Sequence, residues 1–93
     1  MITLYSKPLC PYCDGAEHYL HKNGFAYNKI DITQDANALK FIKEERGHRT
    51  VPQIYYGNRL LVEGGFDGLR NILPIDLEKR IQQYANGKQD LST

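Results

Sequence analysis

The chain has 93 residues, 41% of them hydrophobic and 25% charged, with a formal net charge of +1. That length predicts one domain, and the near balance of 12 basic and 11 acidic residues argues against nucleic acid or a membrane surface as a partner recruited by bulk charge. No apolar run approaches the roughly 20 residues of a membrane span, residues 1–15 lack the apolar core of a secretion signal, and two cysteines in such a chain fit a dithiol cycling in a reducing compartment better than a disulfide staple.

Ile2 to Tyr5 (ITLY) is short, apolar and β-prone, and predicts a first strand. From Pro11 the pattern turns helical, with Cys13, Ala16 and Leu20 spaced for one face. Proline suits a first helical turn, and Asn23-Gly24 supplies the stop. Phe25 to Ile32 alternates and predicts a second strand. Thr33 or Asp35 can cap a second helix with Ala36, Leu39 and Ile42 inward, ended by Gly47. Gln53 to Tyr56 and Leu60 to Val62 form a hairpin across Gly57-Asn58. After Gly64-Gly65, Asp67 is placed to cap a short helix burying Leu69, Ile72 and Leu73. Pro74 separates it from a last helix with Leu77, Ile81, Tyr84 and Ala85 on one face, ending at Gly87. Residues 1–87 form the domain and 88–93 a frayed tail. The order β-α-β-α-β-β-α-α predicts an α/β fold with a mixed four-stranded sheet and helices on both faces.

Chemistry concentrates in the stretch Cys10-Pro11-Tyr12-Cys13. A C-x-x-C directly after a strand in a β-α-β pattern is a redox signature. Cysteine attacks as thiolate. Cys10 sits where the positive end of the first helix favours an anion, and Lys7 adds a cation three residues earlier. Cys13, one turn further in, is expected to be more buried. Cys10 therefore reads as the nucleophile that forms a mixed disulfide, and Cys13 as the thiol that resolves it. Structural zinc wants four ligands, and only His18, His21 and His48 remain to supply two, so no metal is expected. Thr50-Val51-Pro52 has two readings: a plain strand-entry proline, or a cis peptide that leaves the Val51 backbone free to pair with an extended peptide. In Gly64-Gly65-Phe66-Asp67 the glycines permit close backbone approach, and Asp67 either caps a helix or meets an ammonium group.

Together Lys7 ahead of CPYC, RTVPQIY at 49–55 and GGFDGL at 64–69 resemble the glutaredoxin family, within the thioredoxin fold. The resemblance covers about residues 1–73. It implies reduction of protein disulfides and of glutathione mixed disulfides by a soluble cytoplasmic monomer, with no bound cofactor and glutathione as reducing co-substrate. It makes Cys10 the nucleophile and Cys13 the resolving thiol. Tyr12 would flank bound glutathione, and Thr50 and Val51 beside a cis Pro52 would meet its cysteinyl part. Gly65, Phe66 and Asp67 would take the γ-glutamyl end, and Lys7 with Arg49 or Lys40 the glycyl carboxylate. Many members carry a further acidic residue where this chain has Gly68. The GGFD form is also similar to small viral glutaredoxins that supply electrons to ribonucleotide reductase, which would place the reaction in a host cytoplasm. Two alternatives share the cysteines: a redoxin fed by thioredoxin reductase, and a homodimer holding an iron–sulfur cluster through Cys10 and external glutathione. The charges at Lys7 and Asp67 argue against the first, and Pro11 argues against the second.

Overall fold

The first strand forms where the sequence predicts it and runs one residue further, to Ser6. In the computed structural model, which describes residues 1–86, β1 runs Ile2–Ser6 with Ile2, Leu4 and Ser6 buried on one face. The expected helix end at Gly87 and the tail over 88–93 lie outside the described residues. Helix α1 is Pro11–Lys22, with proline in the first turn and Cys13, Ala16 and Leu20 buried. Asn23 caps its C-terminus and Gly24 takes φ 77. Strand β2 is Tyr27–Asp31, shorter than the alternation predicted, because Ile32 turns away as a buried residue of the following loop.

Helix α2, Ala36–Lys40, starts at Asp35, whose carboxylate accepts the Ala38 N–H at 3.0 Å. It then widens into a π turn over Phe41–Glu45. The face expected inward is corrected here: Ala38 and Ile42 are buried, Leu39 is half-buried, and Ala36 is exposed. Ala36 lies in the first turn. Strands β3 (Gln53–Tyr56) and β4 (Arg59–Val62) are joined by Gly57-Asn58. Gly57 takes φ 61, the conformation a tight hairpin needs and L side chains resist.

The sheet order is β2-β1-β3-β4. β1 pairs parallel with β2, Ser6 beside Asp31, and antiparallel with β3, Tyr5 beside Gln53. One face carries the larger core, in which Ile2, Leu4, Ala16, Leu20, Ile54 and Leu69 meet. The other face packs Ile32, Ala38, Ile42 and Tyr55, so helices cover both sides as the element order predicts. Full burial of one such aliphatic side chain is worth about 1.5–3 kcal/mol.

Helix α3 is Gly65–Arg70 and begins at Gly64, without a side-chain cap. Asp67 therefore lies inside the helix rather than capping it, and pairs with Arg70 at 3.1 Å. Leu69 is buried, but Leu73 is 65% exposed, against expectation. Leu73 sits in extended backbone before Pro74, outside both helices. Helix α4, Pro74–Ala85, buries Leu77 and leaves Ala85 exposed. Side chains tie it to the edge strand: Arg80 donates to the Leu61 carbonyl at 2.9 Å and Tyr84 to that of Leu60 at 3.0 Å.

Candidate active site

The loop that leaves β1 delivers Cys10 to the start of α1. Cys10 is the N-cap, in extended backbone, and its sulfur accepts the Cys13 N–H at 3.2 Å. A cap residue of this geometry points its side chain back over the unpaired N–H groups of the first turn. The same sulfur lies 3.8 Å from the Val51 carbonyl, to which its thiol donates. Both cysteines are free thiols. Cys10 retains 7% exposure and Cys13 3%, so the burial order matches the division of labour expected. The Cys13 thiol is pushed up to about 12, first by burial, then by a hydrogen bond to Cys10 and the nearby Asp14 charge, and is lowered in part by the Lys7 backbone. Cys13 thus holds its proton at neutral pH while Cys10 faces the entrance.

Three segments far apart in sequence lock together beside this thiol. The Val51-Pro52 peptide is cis. Gly65, at φ 59, approaches it so closely that a Cβ there would sit 2.9 Å from the Pro52 carbonyl oxygen. The next residue, Phe66, lays its ring on α1 at Gly15, where a Cβ would meet the ring at 2.8 Å. The Phe66 ring also faces that of Tyr12 at 6.4 Å. CPYC, TVP and GGFD are therefore one contiguous unit, held by two glycines that lack the atoms which would separate them.

A cleft of about 530 Å³ opens beside Cys10, within the usual range for ligand sites. Lys7, Tyr12, Arg49, Thr50 and Val51 line it. Pro52 and Gly65 are buried beneath it rather than lining it, and Phe66 backs Tyr12. Asp67 lies outside it, exposed, with its carboxylate on Arg70. Lys40 is not among the lining residues; Lys43, in the π turn, is. Sequence reasoning also missed Leu9 and an apolar floor of Ile32, Leu39 and Ile42. Ile42 and Leu39 were legible as inward residues of a helix, but nothing local marked them as cleft residues. His48 is a further addition: its Nε2 and the Tyr55 hydroxyl are 2.6 Å apart. Burial, then the Arg46 guanidinium, lower His48 below the usual imidazole value, which keeps the ring neutral at pH 7. The contact anchors the loop carrying Arg49 to buried Tyr55. His18 and His21 are exposed on α1, and no group of three metal-ligating side chains occurs among the described residues.

Residues 2–61 match the Glutaredoxin family. A glutaredoxin of Neisseria meningitidis is 36% identical over 81 residues, covering 75% of this chain and 95% of its own. Glutaredoxin 1 of Rickettsia conorii is 40% identical over 81 residues, covering 84% and 72%. Among solved structures, the holo form of glutaredoxin C1 from poplar superposes with a TM-score of 0.71 at 22% identity, over 90% of this chain and 78% of that one. The last likeness speaks to the fold, the first three to ancestry. With the reactive pair at the head of α1 and the family match spanning most of the domain, the chain belongs to the glutaredoxin family and is a thiol–disulfide oxidoreductase.

Proposed function

We propose that this chain is a dithiol glutaredoxin that uses glutathione to reduce protein disulfides and glutathione mixed disulfides. The observation that carries the reading is the cleft: Lys7, Tyr12, Arg49, Thr50 and Val51, from three separate segments, line one cavity with Cys10. Cations at Lys7 and Arg49 suit a carboxylate, and the Val51 backbone suits an extended tripeptide. The Asp67 carboxylate suits the γ-glutamyl ammonium. Its present partner Arg70 is more than half exposed, and an exposed pair of this kind is worth about 0–1 kcal/mol, so an incoming ammonium displaces little.

In this reading the Cys10 thiolate attacks one sulfur of a substrate disulfide. The substrate S–S bond breaks, a Cys10–S bond forms, and the leaving thiolate takes a proton. Cys13 then loses its proton and attacks the Cys10 sulfur, releasing the second substrate thiol and leaving the Cys10–Cys13 disulfide. Two glutathione thiols restore the dithiol and leave as glutathione disulfide, so two electrons and two protons pass to the substrate. Where the substrate is a glutathione mixed disulfide, a second glutathione attacks the Cys10 adduct directly. Burial, the largest cause of the raised Cys13 value, persists in that adduct and favours the route, because a thiol that keeps its proton is a poor competitor. The reaction is proposed for the cytoplasm, with the chain as a monomer and ribonucleotide reductase as the protein acceptor implied by the GGFD form.

The test is turnover of a glutathione mixed disulfide with NADPH, glutathione reductase and glutathione, run beside NADPH and thioredoxin reductase. Turnover by the first system is expected. Turnover by the second alone would replace this reading with a thioredoxin-reductase-fed redoxin.

A further inference from the structure

Half of the cleft has no part in the glutathione reading. Its floor is apolar, formed by Ile32, Leu39 and Ile42, and its rim adds Lys43 to Lys7 and Arg49. No carboxylate lines it, and none of the three cations is in an ion pair among the described residues. Lys43 lies four residues after Leu39, on the same helical face, and within the π turn over Phe41–Glu45; it lines the cleft while Lys40 does not. Such turns concentrate at functional sites.

The entrance is apolar too. Leu9, next to Cys10, is fully exposed and takes φ 56. A left-handed backbone is unfavourable for leucine by roughly 1–2 kcal/mol, and so is leaving its side chain in water. Strain of that kind persists where a local structure over-determines it, and it clusters at functional sites. Tyr12, 60% exposed, stands with Leu9 on the cleft around Cys10.

From these placements we infer a specificity site for the protein substrate: the cleft selects a disulfide cysteine flanked by an apolar residue and then an acidic one. The apolar side chain lies on Leu9 and the floor beyond it, and the acidic side chain meets Lys43. The exchange is the one above, with two electrons and two protons passing from the Cys10–Cys13 dithiol to the peptide disulfide. The inference rests on Cys10 as the attacking thiol and not on glutathione as the reductant.

The test therefore leaves glutathione out. The enzyme is reduced with dithiothreitol, desalted and mixed with excess disulfide-linked peptides in a single turnover. The peptides vary one flank between apolar and serine and the next between acidic and basic. The native enzyme is expected to favour the acidic over the basic peptide by about tenfold at low salt, and less at high salt. Lys43→Glu, an exposed change that leaves the core intact, is expected to abolish or invert that ratio. Leu9→Ser is expected to lower the apolar preference several-fold and leave the charge preference alone. Equal rates for acidic and basic peptides in the native enzyme, or a ratio that Lys43→Glu leaves unchanged, would overturn the inference. Failure of glutathione to turn the enzyme over would leave these ratios untouched, so the two readings fail separately.

Discussion

Gly68 stands where many family members carry a second acidic residue, and the fold says why this chain does not. A Cβ at Gly68 would lie 1.8 Å from the Glu63 carbonyl oxygen and 3.3 Å from a Val62 methyl. The obstacle is backbone, so it cannot swing aside; either the Glu63 carbonyl or α3 must retreat by more than an ångström. Overpacking of this kind costs about 1–3 kcal/mol, and a backbone obstacle belongs at the upper end. Replacing a helical glycine by alanine returns about 0.5–1 kcal/mol. Gly68→Ala is therefore expected to destabilise by about 2 kcal/mol, which for a domain of this size lowers Tm by about 8–16 °C. Thermal unfolding followed by circular dichroism reads this directly. Gly24→Ala is the contrast: its φ is left-handed where that of Gly68 is not, and no atom lies within 4 Å of the added Cβ. It should cost only the backbone term, about 1–2 kcal/mol. Gly68→Asp should lose as much as Gly68→Ala, and it should gain nothing in glutathione turnover, since its carboxylate arrives with the same collision. A Gly68→Ala protein melting at or above the native temperature would refute the reasoning, because it would mean that α3 shifts freely away from β4.

Three further outcomes are expected. Cys10→Ser should abolish both protein-disulfide and mixed-disulfide reduction, whereas Cys13→Ser should lose the first and keep the second; a Cys13→Ser protein inactive on glutathione mixed disulfides would reverse the assigned roles. Gly65→Ala should lower protein stability, since its Cβ would push the Pro52 carbonyl and its φ is left-handed, and should raise the KM for glutathione several-fold in the folded protein; an unchanged KM would uncouple the GG turn from the cleft. The third concerns pH. Because the folded Cys13 thiol is raised from near 9 to about 12, the native state keeps a proton that the unfolded chain loses. Its contribution is whole below about pH 9 and falls as pH rises toward 12, since stability drops wherever the folded state binds more protons. Urea midpoints measured from about pH 8 to about pH 11 should fall more steeply for the native protein than for Cys13→Ser, and parallel slopes would contradict the burial argument.

Much of this protein was legible before any coordinates, and the parts that were share a cause. The first strand over Ile2 to Tyr5, the helical spacing of Cys13, Ala16 and Leu20, a second helix capped at Thr33 or Asp35 and the Gly57-Asn58 turn are consequences of neighbours along the chain. Local sterics and hydrogen bonding decide them. The same local logic placed Cys10 at a helix start and Cys13 behind it. Where that reading failed, the cause was still local but misplaced by a few residues: the break at Pro74 takes Leu73 out of both helices, and Gly64 rather than Asp67 begins α3.

The sequence by itself determined the reactive pair, the element order and the turns. Only the tertiary structure decided that Gly65 rests on Pro52 and that Phe66 fits over Gly15. It alone put Lys43 and Leu9, rather than Lys40, on the cleft beside Cys10. The reason is physical: propensity and periodicity act over a few residues, whereas a cleft is bounded by atoms that meet only after loops distant in the chain have closed on one core.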